Sequence, residues 1–539
     1  MPARIPSPVC RMAAMLRRTV LIVLVSASVP LVAAGHGIGR VPEVRTLSRK
    51  VFEDKVRGGW AGQMIGVSFG APTEFTSNGK IIEGDLPAWT PDRIENAIDQ
   101  DDLYVEMTFA AVMDTTGLDA TTEQYGDAFR TSKYRLWHAN AGARRLLDRG
   151  VKAPLSGHPK YNVHANDIDF QIESDFIGLM TPGLPADATK YATRVGRVMN
   201  YGDGLYGGVF VASMYAAAFF ERDPRKVVEA GLASLPRESG YARIIRDVLR
   251  WSAENPGEWR RTWQLIQDTW DKDDPCPDGS LEPFNIDAKL NGAYIALGLL
   301  YGAADFDRTL DVSTRAGQDS DCNPSSAAGI LGVMLGYDRI PERWKAGLPP
   351  RASRKFAYTN YSFEGIVAST TARAAKVVAA AGGRFTASEI AVPQQPPAPP
   401  ALEQWDMGVP DRRIGVADPA WHFVGGWTTP PRSMTRSGPA ARGASTAGAE
   451  ATLAFTGSAV TLLGVMSQSG GRADVFLDGT RAGAIDTYIP PDTTDNALWH
   501  TYGLPNTKHT VRIVTRADKA RSSKGTVVML TEAVTYRPR

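Results

Sequence analysis

From about Leu47 to Phe385, apolar residues recur at spacings of three and four. This is the mark of helices that turn one face to a core. The segments AGARRLLDRG, GGVFVASMYAAAFF, YARIIRDVLRWSAE and LNGAYIALGLLYG show it most clearly. Alternating strand patterns are scarce there, and glycine and alanine recur where helices would have to approach closely. The pattern predicts an all-α domain over residues 45–385. The proline-rich AVPQQPPAPPALEQ that follows cannot be a helix interior and reads as a semi-rigid spacer over residues 386–410. From 411 to 539 the texture changes to short β-type runs split by turn residues: ATLAFTGSAVTLLGVM, ADVFLDGTRAGAIDTY, HTVRIVT and GTVVMLTEAVTY. LDGT carries the Asp-Gly pair of a tight hairpin. The tail is expected to be a smaller all-β sandwich or jelly roll, folding independently of the helical part.

Length and composition agree with two folded domains: 539 residues, 43% hydrophobic and 22% charged. Sixty basic residues against 58 acidic ones give a net charge of +2, which removes the electrostatic case for a nucleic-acid partner. Arg11, Arg17 and Arg18 precede the apolar run TVLIVLVSASVPLVAAG, which closes on Val32, Ala33 and Ala34. A basic start, a short apolar run and a small-residue end predict a signal peptide over residues 1–34. The mature chain is then secreted or periplasmic, with no membrane span. Removing the leader leaves Cys276 and Cys322, which in an exported chain either bridge or stay as separate thiols.

Seven histidines occur, none with the His-Glu-x-x-His type of ligand spacing, and no Walker loop is present. Chemistry therefore falls to the carboxylates. In ENAIDQDDLYVEMTFAAVMD, Asp99, Asp102 and Glu106 share one helical face, and Asp101 adds a carboxylate near the helix start. No lysine or arginine follows at i+4 to pair with Asp102 or Glu106. In NDIDFQIESDFIGLMTPG, Asp167, Asp169, Glu173 and Asp175 are interleaved with Ile168, Phe170 and Ile172. As a strand this segment puts its acids on one face; as a helix it stacks Asp169 with Glu173. Its apolar neighbours imply partial burial, which raises a carboxyl pKa toward general-acid work. NYGDGLYGG sets Asp203 in a glycine-rich turn ahead of a helix.

The last such segment, AGQDSDCNPSSAAG, holds Asp319 and Asp321 one residue apart before a helix that Asn323 would cap and Pro324 would begin. In an extended loop the two carboxylates point the same way, and like charges there call for a cation or a proton between them. Any one segment is also explained as a solvated acidic surface. Four in one helical domain favour a shared acidic cleft.

GGWAGQMIGVSFGAPTEF, DQDD, NYGDGLYGG and AGQDSDCNPSSAAGILGVMLGYDRIPERW resemble, in order and context, segments of the ADP-ribosylglycohydrolase superfamily, the kind of domain found in dinitrogenase reductase-activating glycohydrolase. The resemblance covers roughly Val51 to Trp344. It implies an all-α fold with a pair of magnesium ions in a central cleft. By this likeness Asp101, Asp102, Asp319 and Asp321 are metal ligands, and Glu74 matches a glutamate that lies over the substrate. Gln100 and Cys322 stand where the family has threonine ligands, Val67 replaces an aspartate, and Asn200-Tyr201 replaces Thr-His. A glutamine carbonyl can bind a hard cation, whereas a thiol is a poor ligand for magnesium or calcium. The expectation is one or two divalent ions, magnesium or calcium, held by Gln100, Asp101, Asp102, Asp319 and Asp321.

The expected activity is hydrolysis of an N- or O-glycosidic bond in a glycan or other small glycoside. Glu74, Asp102, Asp169, Glu173 and Asp175 are the candidate catalytic carboxyls, and Asp167, Tyr201, Asp203 and Asn323 the candidate substrate contacts. Two alternatives stand beside it: release of ADP-ribose from modified protein, and carbohydrate binding without catalysis. The β tail resembles the galactose-binding-like modules of secreted carbohydrate enzymes through FTGSAVTLLG, VFLDG and KHTVRI. Its Trp421, Trp427 and Trp499 either stack on sugars or fill the core.

Overall fold

The computed structural model describes residues 43–430, 440–491 and 495–539; the leader expected over residues 1–34 lies outside them. Helices fill the first part, from Arg49–Gly70 to Phe363–Ala380. Three of them, Asp203–Ala218, Ala288–Gly302 and Cys322–Leu335, are buried on almost every side. Their sequences place small or apolar residues between the three-and-four spacings as well as on them, so they form the centre of the domain. Outer helices keep a single apolar stripe. In Gly240–Glu254, Ile244, Ile245, Val248 and Leu249 are buried while Arg243, Arg246 and Arg250 face solvent. Val44–Ser48 pairs antiparallel with Glu389–Pro393, which also pairs with Arg384–Phe385, so a small sheet joins the two ends of the helical domain.

The tail is an all-β sandwich. One sheet runs, in spatial order, through Thr480–Asp486, Arg472–Leu477, Thr507–Thr515, Glu450–Gly457 and Trp421–Val424. The other runs through Ala497–Thr501, Ala459–Val465, Val528–Arg537 and Val409–Gly415, with Arg442–Ala444 also on Val528–Arg537. Alternation decides what faces inward: Ala451, Leu453 and Phe455 of one strand enter the core, as do Val511 and Ile513 of its neighbour. The LDGT turn is a two-residue hairpin with positive φ at both Asp478 and Gly479, the geometry Asp-Gly favours. Trp421 and Trp427 are buried in the sandwich and Trp499 packs against it, so these rings serve the core.

The proline-rich segment is not a free spacer. It is strapped over the helical domain: Tyr206 Oη donates to Ala401 O (3.0 Å), Gly202 N to Glu403 Oε2 (3.0 Å) and Trp405 Nε1 to Asn166 Oδ1 (3.2 Å). The sandwich packs beside it. Val163 of the helical part shares an apolar cluster with Met407, Leu463, Val534 and Tyr536. Residues 43–539 accordingly form one compact unit.

Candidate functional site

The site is built on the closest helix pair in the molecule's centre. Arg49–Gly70 carries glycine at 58, 62, 66 and 70, one per turn, against the small-residue helix Cys322–Leu335. A Cβ on Gly62 would lie 2.1 Å from Ala328 O, and one on Gly66 2.2 Å from Pro324 O, so only hydrogen fits. Lys55 Nζ fastens the far end by donating to Val333 O (2.7 Å) and Met334 O (3.0 Å). At the near end Gly70 touches the Ser320 backbone, and the hydroxyls of Thr73 and Ser320 are 2.8 Å apart. This contact places Glu74 beside the Asp319–Asp321 turn. That turn is tight rather than extended: Gln318 holds φ +55° and its carbonyl accepts from Phe75 N (3.0 Å). The helix begins at Cys322, one residue before Asn323. Asp321 occupies the cap position without a capping bond, and its Oδ1 accepts only the long contact from Cys322 Sγ, 3.8 Å, among the hydrogen bonds of the described residues. The donor atoms of Asp319, Asp321 and Cys322 lie within 4.8 Å of one another.

Asp101 and Asp102 open the helix Asp101–Thr116. Asp99 ends a separate 3₁₀ helix and is exposed, so it does not share the face of Asp102 and Glu106 as the spacing predicted. Gln100, between the two helices, donates its side chain to Asn96 Oδ1 (2.9 Å). Asp102 is 0% exposed, and neither of its carboxylate oxygens has a hydrogen-bond partner; Asp319 Oδ1 is also without one. Burial first, and then the nearby Asp101 and Glu74 carboxylates, push Asp102 up to about 7. Burial and Asp102 take Asp321 to about 7. Asp319 and Asp101 are raised as well, chiefly by burial. Glu74 stands exposed at the mouth, yet its carboxyl is hemmed in by protein and by Asp321 and Asp101, which raises it to about 8. Unpaired carboxylates held together in this way suit a hard divalent cation, which would offset both their desolvation and their repulsion. Asp101, Asp102, Asp319 and Asp321 can hold it. Burial raises the Cys322 thiol far above its ordinary value, so it stays neutral.

The NDIDFQIESDF segment folds as two short helices, Asp169–Ile172 and Asp175–Met180, with Glu173 at the break. Asp169 accepts from the backbone of Ala139 (3.1 Å) and Asn140 (2.9 Å), and Glu173 from the Asn140 side chain. Asp169 is raised to about 6, mainly by burial against the opposing pull of His138, and Glu173 much further, by burial and Asp169. Asp175 faces inward: Gln63 Nε2 donates to both Asp175 Oδ2 (2.8 Å) and Glu106 Oε1 (2.8 Å). This dry network backs the cleft. Asn323 is also fully buried, with Nδ2 on Asn291 Oδ1 (2.9 Å).

Three of the candidate substrate contacts lie elsewhere. Asp203 accepts from Tyr241 N (3.0 Å) and lines a cavity of about 440 Å³ that none of the acids at 74, 101, 102, 319 and 321 enters. The Tyr201 ring lies tilted against His158, with ring centroids 4.8 Å apart. Asp167 is buried with His164 and Cys276, and His138 stands nearby. Cys276 and Cys322 are separate free thiols. Burial alone would lower His164, but Asp167 outweighs it and takes the imidazole to about 9. His138, Asn140, His164 and Cys276 are not singled out by sequence patterns, because their spacing along the chain is long and irregular.

A family model described as ADP-ribosylglycohydrolase matches residues 48–371, the span that contains every one of these acids. The chain belongs to the ADP-ribosylglycohydrolase family. This family of hydrolases accounts for the all-α fold. Over 139 residues the chain is 33% identical to the A type blood N-acetyl-alpha-D-galactosamine deacetylase of Flavonifractor plautii; the match spans 26% of this chain and 17% of that protein. Among solved structures, an ADP-ribosylglycohydrolase-related protein complex is matched with a TM-score of 0.36 and 16% identity, over 61% of this chain and 99% of that one. A family two carbohydrate esterase from Cellvibrio japonicus is matched at 0.17 and 18%, over 23% of this chain and 32% of that one.

Proposed function

We propose that this chain is an exported hydrolase that cleaves a glycosidic bond of a glycan or small glycoside. The observation that carries the reading is the charge environment of the cleft. The charged groups acting most strongly on Glu74, Asp101, Asp102, Asp319 and Asp321 are one another and His138, with no lysine or arginine among them. A pyrophosphate finds no guanidinium clamp there, whereas a neutral polyhydroxylated sugar meets many acceptors. The partial likeness to a protein named as acting on a blood-group sugar supports the same substrate class.

Asp101, Asp102, Asp319 and Asp321 are the residues that would hold a divalent cation, which when bound supplies Lewis-acid polarisation of substrate oxygens. Glu74, at the mouth and raised to about 8, keeps its proton into the neutral range and can deliver it to the leaving group. The remaining carboxylates stabilise the positive charge that develops on an oxocarbenium-like sugar, and one of them takes a proton from the water that adds to the anomeric carbon as the glycosidic bond breaks. The backing network of Gln63, Glu106 and Asp175 holds its protons away from water and positions the helices that carry the cleft acids.

The test is a competition between substrate classes on one enzyme preparation. Glycosides and oligosaccharides should be hydrolysed faster than ADP-ribosyl-arginine or ADP-ribosyl-serine peptides, and chelator should stop the reaction until magnesium or manganese is returned. Preference for the ADP-ribosyl peptides would overturn the glycan assignment, and binding of sugars without turnover would overturn the hydrolytic one.

A further inference from the structure

Outside the acidic cleft, four side chains from three distant parts of the chain meet at one point. His164 Nδ1 lies 2.9 Å from Asp167 Oδ2, Cys276 Sγ 3.2 Å from the same oxygen and 3.5 Å from His164 Nδ1, and His138 Nδ1 3.8 Å from that oxygen. All four donor atoms fall within 4.8 Å of one another. Asp167 Oδ1 and His138 Nδ1 are buried without a hydrogen-bond partner. The set is not a Cys–His–Asp relay. A relay needs the thiol on one imidazole nitrogen and the carboxylate on the other, and here both address Nδ1 of His164.

Convergence on a common centre is what a metal ion requires. With bonds of about 2.0–2.1 Å to nitrogen or oxygen and about 2.3 Å to sulfur, a tetrahedral ion sets its donors roughly 3.3–3.6 Å apart. The three distances among Asp167, His164 and Cys276 lie within a few tenths of an ångström of that range, and His138 closes the fourth side. Two imidazoles, a thiolate and a carboxylate select zinc over magnesium or calcium. We propose that His138, His164, Asp167 and Cys276 form a zinc-class transition-metal site, separate from the hard-cation cleft.

The surroundings hold these donors in place. His138 sits at φ +43°, a left-handed conformation costly for a residue with a Cβ, and Asp169 fixes it by accepting from the next two amides. Asp495 lies 3.9 Å from His164 Nε2, where a carboxylate commonly orients a metal-bound imidazole through its other nitrogen, and Asp278 lies 3.7 Å from His138 Nδ1. The sandwich fixes the Cys276 turn: Tyr536 Oη donates to Pro275 O (3.1 Å) and Arg413 Nη1 to Pro277 O (2.9 Å). An ion here would stand a short way from the acidic cleft, since His138 also acts on Glu74 and Asp101.

The full chain, stripped by chelation and titrated with cobalt(II) in excess magnesium to occupy the acidic cleft, should develop a thiolate-to-cobalt charge-transfer band that saturates at one ion per chain. Zinc should displace the cobalt and bleach the band, while magnesium should not. Cys276→Ser should abolish the band and weaken zinc binding by about a hundredfold or more, and Asp319→Asn should leave both unchanged. Absence of the band in the wild-type chain, or zinc affinity unaltered by Cys276→Ser, would overturn the site. If Cys276→Ser does not fold, His138→Ala decides: an unchanged cobalt spectrum refutes the proposal, and a shifted, weakened one supports it.

Discussion

Replacing Asp102 by asparagine separates charge from shape at the centre of the cleft. Asp102 is fully buried with both oxygens unpartnered, and its carboxyl is raised from an ordinary 3.8 to about 7. Without a cation, the folded chain keeps this proton between about pH 4 and 7, where the unfolded chain has released it. Stability is therefore greatest below pH 4 and falls as the pH rises through about 7. At about 1.4 kcal/mol for each tenfold change in proton affinity, the full loss at pH 8 is on the order of 4 kcal/mol. Asp101, Asp319 and Asp321 share the same repulsion, so roughly half or more of that should be recovered when asparagine removes one charge. In chelator at pH 8, Asp102→Asn should thus be about 2–4 kcal/mol more stable than wild type, shrinking to about 1.5 kcal/mol or less at pH 5. In saturating magnesium the order should reverse, because the variant has lost a ligand. Urea unfolding at the two pH values, with and without the cation, reads all of these. A chelated variant no more stable than wild type at pH 8, or a difference independent of pH, would refute the uncompensated-carboxylate account.

Three further outcomes follow from the same structure. Glu74→Gln should keep magnesium binding by calorimetry while kcat falls by roughly a hundredfold or more; an unaltered kcat would remove Glu74 from the proton-transfer role. Gly62→Val, whose Cβ alone would sit 2.1 Å from Ala328 O, should cost about 3 kcal/mol, and an unchanged denaturation midpoint would contradict the close helix contact. A chain ending at Pro393 uncovers Val163 and loses the Tyr536 and Arg413 bonds to the Cys276 turn. It should aggregate or melt lower on a thermal ramp, and a soluble fragment melting like the full chain would show the junction to be dispensable.

Local pattern determined much of this protein. Three-and-four spacing marks the helices and alternation marks the sandwich strands, because each reports which side of a single element is buried. Asp-Gly specifies its hairpin through positive φ at two adjacent residues. The acids at 101, 102, 319 and 321 were legible because each pair is local and stands at a helix start, and the family resemblance joined the two pairs. Tertiary structure decided the rest. Asp99 and Asp102 part company because a break at Gln100 separates two helices, which spacing along one ideal helix does not register. The strapping of the proline-rich segment depends on Tyr206 and Asn166, some two hundred residues away. His138, His164 and Cys276 carry no ligand signature in sequence because helices, loop and sandwich bring them together only in the folded chain. A residue's chemistry is written in its side chain, but its partners, its burial and so its proton affinity belong to the packing of elements remote in sequence.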